Sequence, residues 1–223
     1  MSTPVDTFIA PVCHEEIDVL YHDEHILLVN KPSGLLSLSG KNPLNKDSVH
    51  FRLVQDFPTA TMVHRLDFGT SGIMLLALNK SVNAHLTKQF QDRTVVKTYI
   101  SILSGHIEVD QGMIDVPIAK DPPNFPLMKA CRESGKQAIS YFEVIDRCNN
   151  PKASRVLFKP YTGRTHQLRV HSRELGHPIL GCDLYGTEQT LAKSTRLLLH
   201  AYTLAFDHPV TGERIVAQCS CPF

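Results

Sequence analysis

The residues Ile73-Met74-Leu75-Leu76-Ala77-Leu78 form an apolar run with no polar interruption. A run of that length, without alternation, reads as a strand buried inside a sheet. Directly before it stands Val63-His64-Arg65-Leu66-Asp67-Phe68-Gly69-Thr70-Ser71-Gly72, with Met62-Val63 as a short apolar lead. Polar residues gathered in a loop that a buried strand anchors are how a rigid scaffold presents chemical groups. The same letters also read as a plain turn, with Asp67 bonding its own backbone and Gly69 free to take positive φ.

The remaining elements point to a sheet protein. Asp18–Tyr21 and Ile26–Val29, joined by a polar turn, predict a β-hairpin, and Asn30-Lys31-Pro32-Ser33-Gly34 breaks its second strand. Val49, Leu53 and Phe57 repeat by four, predicting a helix capped by Asp47 and stopped by Pro58. Val82, Leu86 and Phe90 do the same behind a Ser81 cap. Strands are expected at 95–103, 114–118, 138–146, 154–159, 197–206 and 214–219. Residues 120 to 136 form a long loop or a hairpin with its tip near Arg132–Gly135. A helix is expected over Thr165–Leu175, ended by Gly176, and a short one near Glu188–Lys193. Consecutive strands often lack the helix that a parallel crossover needs. The expectation is therefore an α+β fold with a largely antiparallel or mixed sheet. It comprises an N-terminal arm at 1–16 and one catalytic domain over 17–223.

Composition excludes some classes. With 42% hydrophobic and 20% charged residues, the 223-residue chain is ordinary globular material. A net charge of +1 means that any nucleic-acid partner must be met by basic residues gathered on one face. No apolar run approaches the roughly 20 residues of a membrane span, and Met1–Ala10 lacks the pattern of a secretory signal. The six cysteines have neither C-x-x-C spacing nor a paired zinc-ligand pattern. The reading is a cytoplasmic protein with reduced thiols and no metal.

Two further stretches carry candidate chemistry. One is Lys97-Thr98-Tyr99, within an expected strand, where both residue types are also common for structural reasons. The other runs from Thr162 to Arg173, with Arg164, Arg169, Arg173, His166 and His171 over about three turns. A basic helix start behind Gly163 suits a phosphate or carboxylate, and equally a solvated basic face. Arg169 lies beside the apolar face set by Leu168 and Leu175, so it wants a carboxylate, for which Asp67 is a candidate. An aspartate held as an anion suits a nucleophile or base and not a general acid. Nothing matches a Walker loop or G-x-G-x-x-G, and no G-x-S-x-G elbow surrounds Ser71.

These stretches together resemble the motifs of RluA-type pseudouridine synthases. His64-Arg65-Leu66-Asp67 with Thr70-Ser71-Gly72 resembles the family's aspartate signature. Asn30-Lys31-Pro32-Ser33-Gly34-Leu35, Lys97-x-Tyr99, Gly163–His171, Gly176–Gly181 and Arg196–Ala201 resemble its other motifs, in family order over nearly the whole chain. The segment Pro117–Glu143 is similar to that of the family's dual-specificity branch. The resemblance implies a pseudouridine synthase fold with a mixed central sheet flanked by helices and loops, without an S4 domain. It implies Asp67 as the catalytic aspartate, with substrate-binding residues Arg65 (entering the RNA where the uridine left), Tyr99 (stacking on the base) and Arg169 (pairing with Asp67). It further implies no cofactor, and isomerisation of uridine in a ribosomal RNA loop and transfer RNA anticodon stem-loops by a monomer with no obligatory protein partner. A single RNA target, or an RNA-binding or chaperone role, is the alternative.

Overall fold

The computed structural model describes residues 8–223. Residues 1–7 of the expected arm lie outside the described residues. In chain order the elements are β1 (Asp18–His22), β2 (Ile26–Lys31), α1 (Val49–Leu53), β3 (Thr61–Met62), β4 (Ser71–Ala77), α2 (Lys80–Gln91) and β5 (Val96–Ser104). There follow β6 (Gln111–Asp115), β7 (Ile118–Lys120), β8 (Met128–Ala130), β9 (Ile139–Asn149) and β10 (Lys152–Pro160). The chain closes with α3 (Gln167–Glu174), α4 (Glu188–Leu191), β11 (Leu199–Asp207) and β12 (Arg214–Gln218). The fold is α+β and mostly antiparallel, as expected. Contacts divide the chain into two compact units.

The first unit takes residues up to Val96 together with Ala201–Pro222. Its strands run in the order β1-β2-β4-β11, with β12 on β11 and β3 on β4. β1, β2, β3 and β4 pair antiparallel, and Lys31 stands opposite Gly72 at the end of the β2–β4 ladder. All seven residues of β4 are buried, the two-sided burial that its unbroken apolar run predicts. Val82 and Leu86 of α2 join this core. Each such side chain, fully buried, stabilises by about 1.5–3 kcal/mol.

The second unit takes Lys97–His200 with Phe223. Its strands run β5-β10-β9-β6, all antiparallel, and β7–β8 form a separate hairpin. Leu168 and Val170 of α3 pack into a core with Leu103, Val156 and Phe158.

Several boundaries differ from expectation, each for a local reason. α1 is one short helix capped by Ser48, whose extended backbone turns its hydroxyl toward the Phe51 N–H. Asp47 instead takes Arg52 in a two-pronged ion pair, 2.7 and 2.6 Å. α2 is capped by Asn79, and Ser81 donates to that cap at 2.8 Å rather than capping itself. The expected strand at 114–118 is two strands, β6 and β7, separated at Val116-Pro117. The β7–β8 hairpin turns at residues 121–127, while Cys131–Gly135 is a second turn that brings Lys136 back against Ile118.

Gly72, at the mouth of β4, has φ +112. A Cβ there would lie 2.2 Å from the Ala201 carbonyl oxygen and 2.7 Å from its nitrogen, both backbone. Backbone has no rotamer by which to give way. Gly72→Ala is expected to lose at least about 2 kcal/mol in urea unfolding; a loss under about 0.5 kcal/mol would contradict this packing.

Candidate active site

The loop carrying Asp67 is held by the turn that follows β2. Because Lys31 and Gly72 face each other, the chain after β2 and the chain before β4 leave the sheet at the same end. Lys31 is fully buried. Its ammonium donates to the carbonyls of Pro32 at 2.8 Å, Leu35 at 2.7 Å and Phe68 at 3.1 Å. Three acceptors match the three N–H bonds of an ammonium, the condition under which burying one becomes tolerable.

Further bonds continue the clamp. The Gly34 N–H donates to the Phe68 carbonyl at 3.0 Å, with Gly34 at φ +76. The Ser33 hydroxyl donates to the Gly69 carbonyl at 2.7 Å. The Ser37 hydroxyl donates to the Leu66 carbonyl at 2.7 Å and accepts the Leu66 N–H at 3.1 Å. Backbone on both sides of Asp67 is thereby pinned. Leu66 points inward and is buried, while its neighbours Arg65 and Asp67 are exposed and half-buried. The Asp67 carbonyl accepts from the Thr70 N–H at 3.1 Å, a backbone turn, whereas the expected turn has the Asp67 side chain on its own backbone and Gly69 at positive φ, which the structure does not show. Within its own unit the Asp67 carboxylate has no hydrogen-bond partner among the described residues. The turn is real, and it leaves the acid group available.

His64 has a structural duty. Its Nε2 accepts the Leu75 N–H at 3.0 Å and its ring stacks on Phe90 of α2, centroids 4.8 Å apart. An accepting Nε2 carries no proton, so the ring proton sits on Nδ1. Ser71 is buried within β4, where a strand residue belongs.

The other site candidates lie in the second unit. Tyr99 is half-buried on β5, opposite Phe158 of β10, and packs against that unit's core. α3 starts at Gln167 behind His166, which sits at φ 56 without a side-chain cap. Gln167 closes this corner. Its Oε1 accepts from the Thr162 hydroxyl at 2.7 Å and the Arg164 N–H at 3.0 Å, while its Nε2 donates to the Ile139 carbonyl at 3.0 Å and the Ser140 hydroxyl at 2.9 Å. Burial pushes the His171 imidazole below its usual range, although the Val116 carbonyl, 3.0 Å from Nε2, opposes this.

Arg169 is 4% exposed. Its Nη2 donates to Asp183, its Nε reaches the Cys182 sulfur at 3.3 Å, and its guanidinium lies 5.3 Å from the Tyr185 ring centroid. The Tyr185 hydroxyl accepts the Met128 N–H at 2.8 Å and lies 2.7 Å from His166 Nδ1. Asp183 is thus a carboxylate partner of Arg169. The expected pairing with Asp67 would join the two units and is carried forward as a proposal. Asp183 and Tyr185 escape a sequence reading. The available signal is that a buried arginine needs an acid and an aromatic face, which Gly181-Cys182-Asp183-Leu184-Tyr185 supplies.

Among the described residues no cluster of His, Cys, Asp and Glu could hold a metal ion, and no helix is long and apolar enough to cross a membrane.

Comparison with known proteins gives a consistent picture. The family model described as RNA pseudouridylate synthase matches residues 25–174. Over 205 residues the chain is 48% identical to the dual-specificity RNA pseudouridine synthase RluA of Yersinia pestis, covering 92% of this chain and 99% of that protein. The protein of the same description from Escherichia coli K12 is 44% identical over 205 residues, covering 92% and 93%. Among solved structures, human RNA pseudouridylate synthase domain containing 1 superposes with a TM-score of 0.77 at 30% identity, covering 96% of this chain and 86% of that one. Human RNA pseudouridylate synthase domain containing 4 gives 0.72 at 28% identity, covering 92% and 88%.

The clamp makes a direct prediction. Lys31→Met removes the donor from three carbonyls and is expected to cost about 2–4 kcal/mol in urea unfolding, since each buried group left unsatisfied costs about 1–3. A cost below about 1 kcal/mol would show that the clamp does not hold the loop.

Proposed function

The chain belongs to the RNA pseudouridylate synthase family and is an RNA pseudouridine synthase, and on that premise we propose that it modifies two RNA classes with Asp67 as the catalytic group. The two classes are a large-subunit ribosomal RNA loop and transfer RNA anticodon stem-loops. Dual use is supported by the 48% identity that spans 99% of a dual-specificity relative. Asp67 is supported by the clamp, which pins the backbone on both sides of a carboxylate and leaves its oxygens unbonded within their unit. In this reading the protein works in the cytoplasm, as a monomer without an obligatory protein partner.

The chemistry is an isomerisation, redox-neutral and without gain or loss of atoms. The N1–C1′ bond breaks, the uracil turns, and C5 joins C1′. The target uridine leaves its stack to reach the enzyme, as bases do in other base-modifying enzymes. Loops of RNA are suited to this, since their bases are already partly unstacked.

Asp67 acts by one of two routes. In the first its carboxylate attacks C1′ as uracil leaves with the N1–C1′ electrons. C5 of the turned uracil then displaces the carboxylate, C5 loses its proton and N1 gains one. In the second the carboxylate takes the C2′ proton while uracil leaves, giving a glycal, and returns it when C5 joins C1′; C5 then loses its proton and N1 gains one, as in the first. Both routes need an anionic, fixed carboxylate. Tyr99 offers its ring face to the uracil and its phenol for proton exchange at C5. In this reading Arg169, whose Nη2 donates to Asp183, pairs with Asp67 and keeps it ionised. Arg65, exposed beside Asp67, enters the RNA stack in place of the uridine. Lys129, Arg132, Arg164 and Arg173 meet phosphates.

The test is nucleoside mass spectrometry on two unmodified transcripts, an anticodon stem-loop and a ribosomal hairpin. Wild type is expected to yield pseudouridine in both. Asp67→Asn should yield at least about 10³-fold less, with RNA affinity within about threefold of wild type. Product in one RNA alone reduces the reading to a single target. Undiminished product from Asp67→Asn removes Asp67 from the mechanism, and tight binding without product from wild type favours an RNA-binding role.

A further inference from the structure

Lys97 is a half-buried lysine near the start of β5. Among the described residues, none gives its ammonium a hydrogen bond or ion pair. Loss of surrounding water pushes its pKa below the usual lysine range. Lys31 shows how this chain treats a buried ammonium that serves structure, with three carbonyls on three N–H bonds. Lys97 has no such set. A partly desolvated cation without a counter-charge is unfavourable by itself, and an arriving anion relieves it.

Geometry places this ammonium. Side chains two apart on a strand share a face, so Lys97 and Tyr99 project on the same side of β5, roughly 7 Å apart along the strand. A Cβ built on Gly163 would lie 3.5 Å from Lys97 Nζ. The ammonium therefore sits against the bare backbone of the corner that leads into α3. At that corner the Arg164 Nε donates to the Gln137 carbonyl at 2.9 Å, so the neighbouring guanidinium is tethered there.

We propose that Lys97 binds a phosphate of the RNA chain, the one flanking the nucleotide whose base rests on Tyr99. This rests on the function proposed above. A phosphodiester supplies both the missing negative charge and charge-assisted acceptors. Spacing along β5 sets the contact: with the base against Tyr99, its own sugar-phosphate reaches Lys97. The glycine at 163 keeps the approach open. The competing account is that Lys97 only lays its methylene stem on apolar surface with its head in water. That account predicts no change in how RNA binding responds to salt.

The experiment measures RNA dissociation constants by fluorescence anisotropy on a stem-loop that wild type converts to pseudouridine, over a range of salt. Lys97→Met is expected to lower the slope of log affinity against log salt by about 0.7–0.9, the loss of one phosphate contact, and to weaken binding about 5–20-fold at ~0.1 M salt. Lys97→Arg should keep the wild-type slope. Gly163→Asp leaves Lys97 in place but sets a carboxylate beside it, and should reproduce the slope of Lys97→Met even if that variant folds poorly. A wild-type slope in either Lys97→Met or Gly163→Asp overturns the proposal. Product from wild type on the same RNA, measured in parallel, separates this outcome from failure of the function itself.

Discussion

A single buried cation organises the first unit. Lys31 ends a strand whose neighbours are apolar, and its ammonium would be costly there without acceptors. The acceptors are carbonyls from its own turn and from the loop before β4, at 2.7–3.1 Å. A charge that must be satisfied thus decides where two irregular segments lie. Irregular backbone is ordinarily the softest part of a fold. Here Ser33, Gly34 and Ser37 add their own bonds to the same loop, so the backbone on both sides of Asp67 is held. Under the proposed function that precision serves a carboxylate that meets one carbon of a ribose, since small misplacements cost large factors in rate.

The second unit solves a related problem with different chemistry. Arg169 is buried on α3, and the stretch Cys182–Tyr185 gives it a sulfur, a carboxylate and an aromatic face. Asp183 is 63% exposed at its side chain while Arg169 is 4% exposed, so the pair is rooted on the arginine side. Tyr185 extends the network to β8 and His166 through its hydroxyl. Such a network holds a guanidinium in one orientation.

Much of this was legible in the letters, and what was not has physical causes. β4 could be read because burial on both faces leaves the unbroken apolar run from Ile73 onward. α2 could be read because Val82 and Leu86 repeat along one buried face, although its cap moved from Ser81 to Asn79. Caps are decided by backbone geometry within one residue, which periodicity does not resolve. Asp67 stood out by its loop and by family likeness. Lys31 did not, because Lys-Pro-Ser-Gly spells a turn, and its burial depends on a carbonyl 37 residues away. Asp183 was missed for the same reason: a buried arginine states that it needs an acid, but the letters do not say which one.

The most direct measurement is a crystal structure of the chain bound to a stem-loop whose target uridine resists conversion. The account predicts that uridine outside its stack, with C1′ or C2′ about 3–3.5 Å from an Asp67 oxygen, the near-attack range, and its base on the Tyr99 ring. A target base still stacked in the RNA, or a ribose held against another carboxylate, would contradict it.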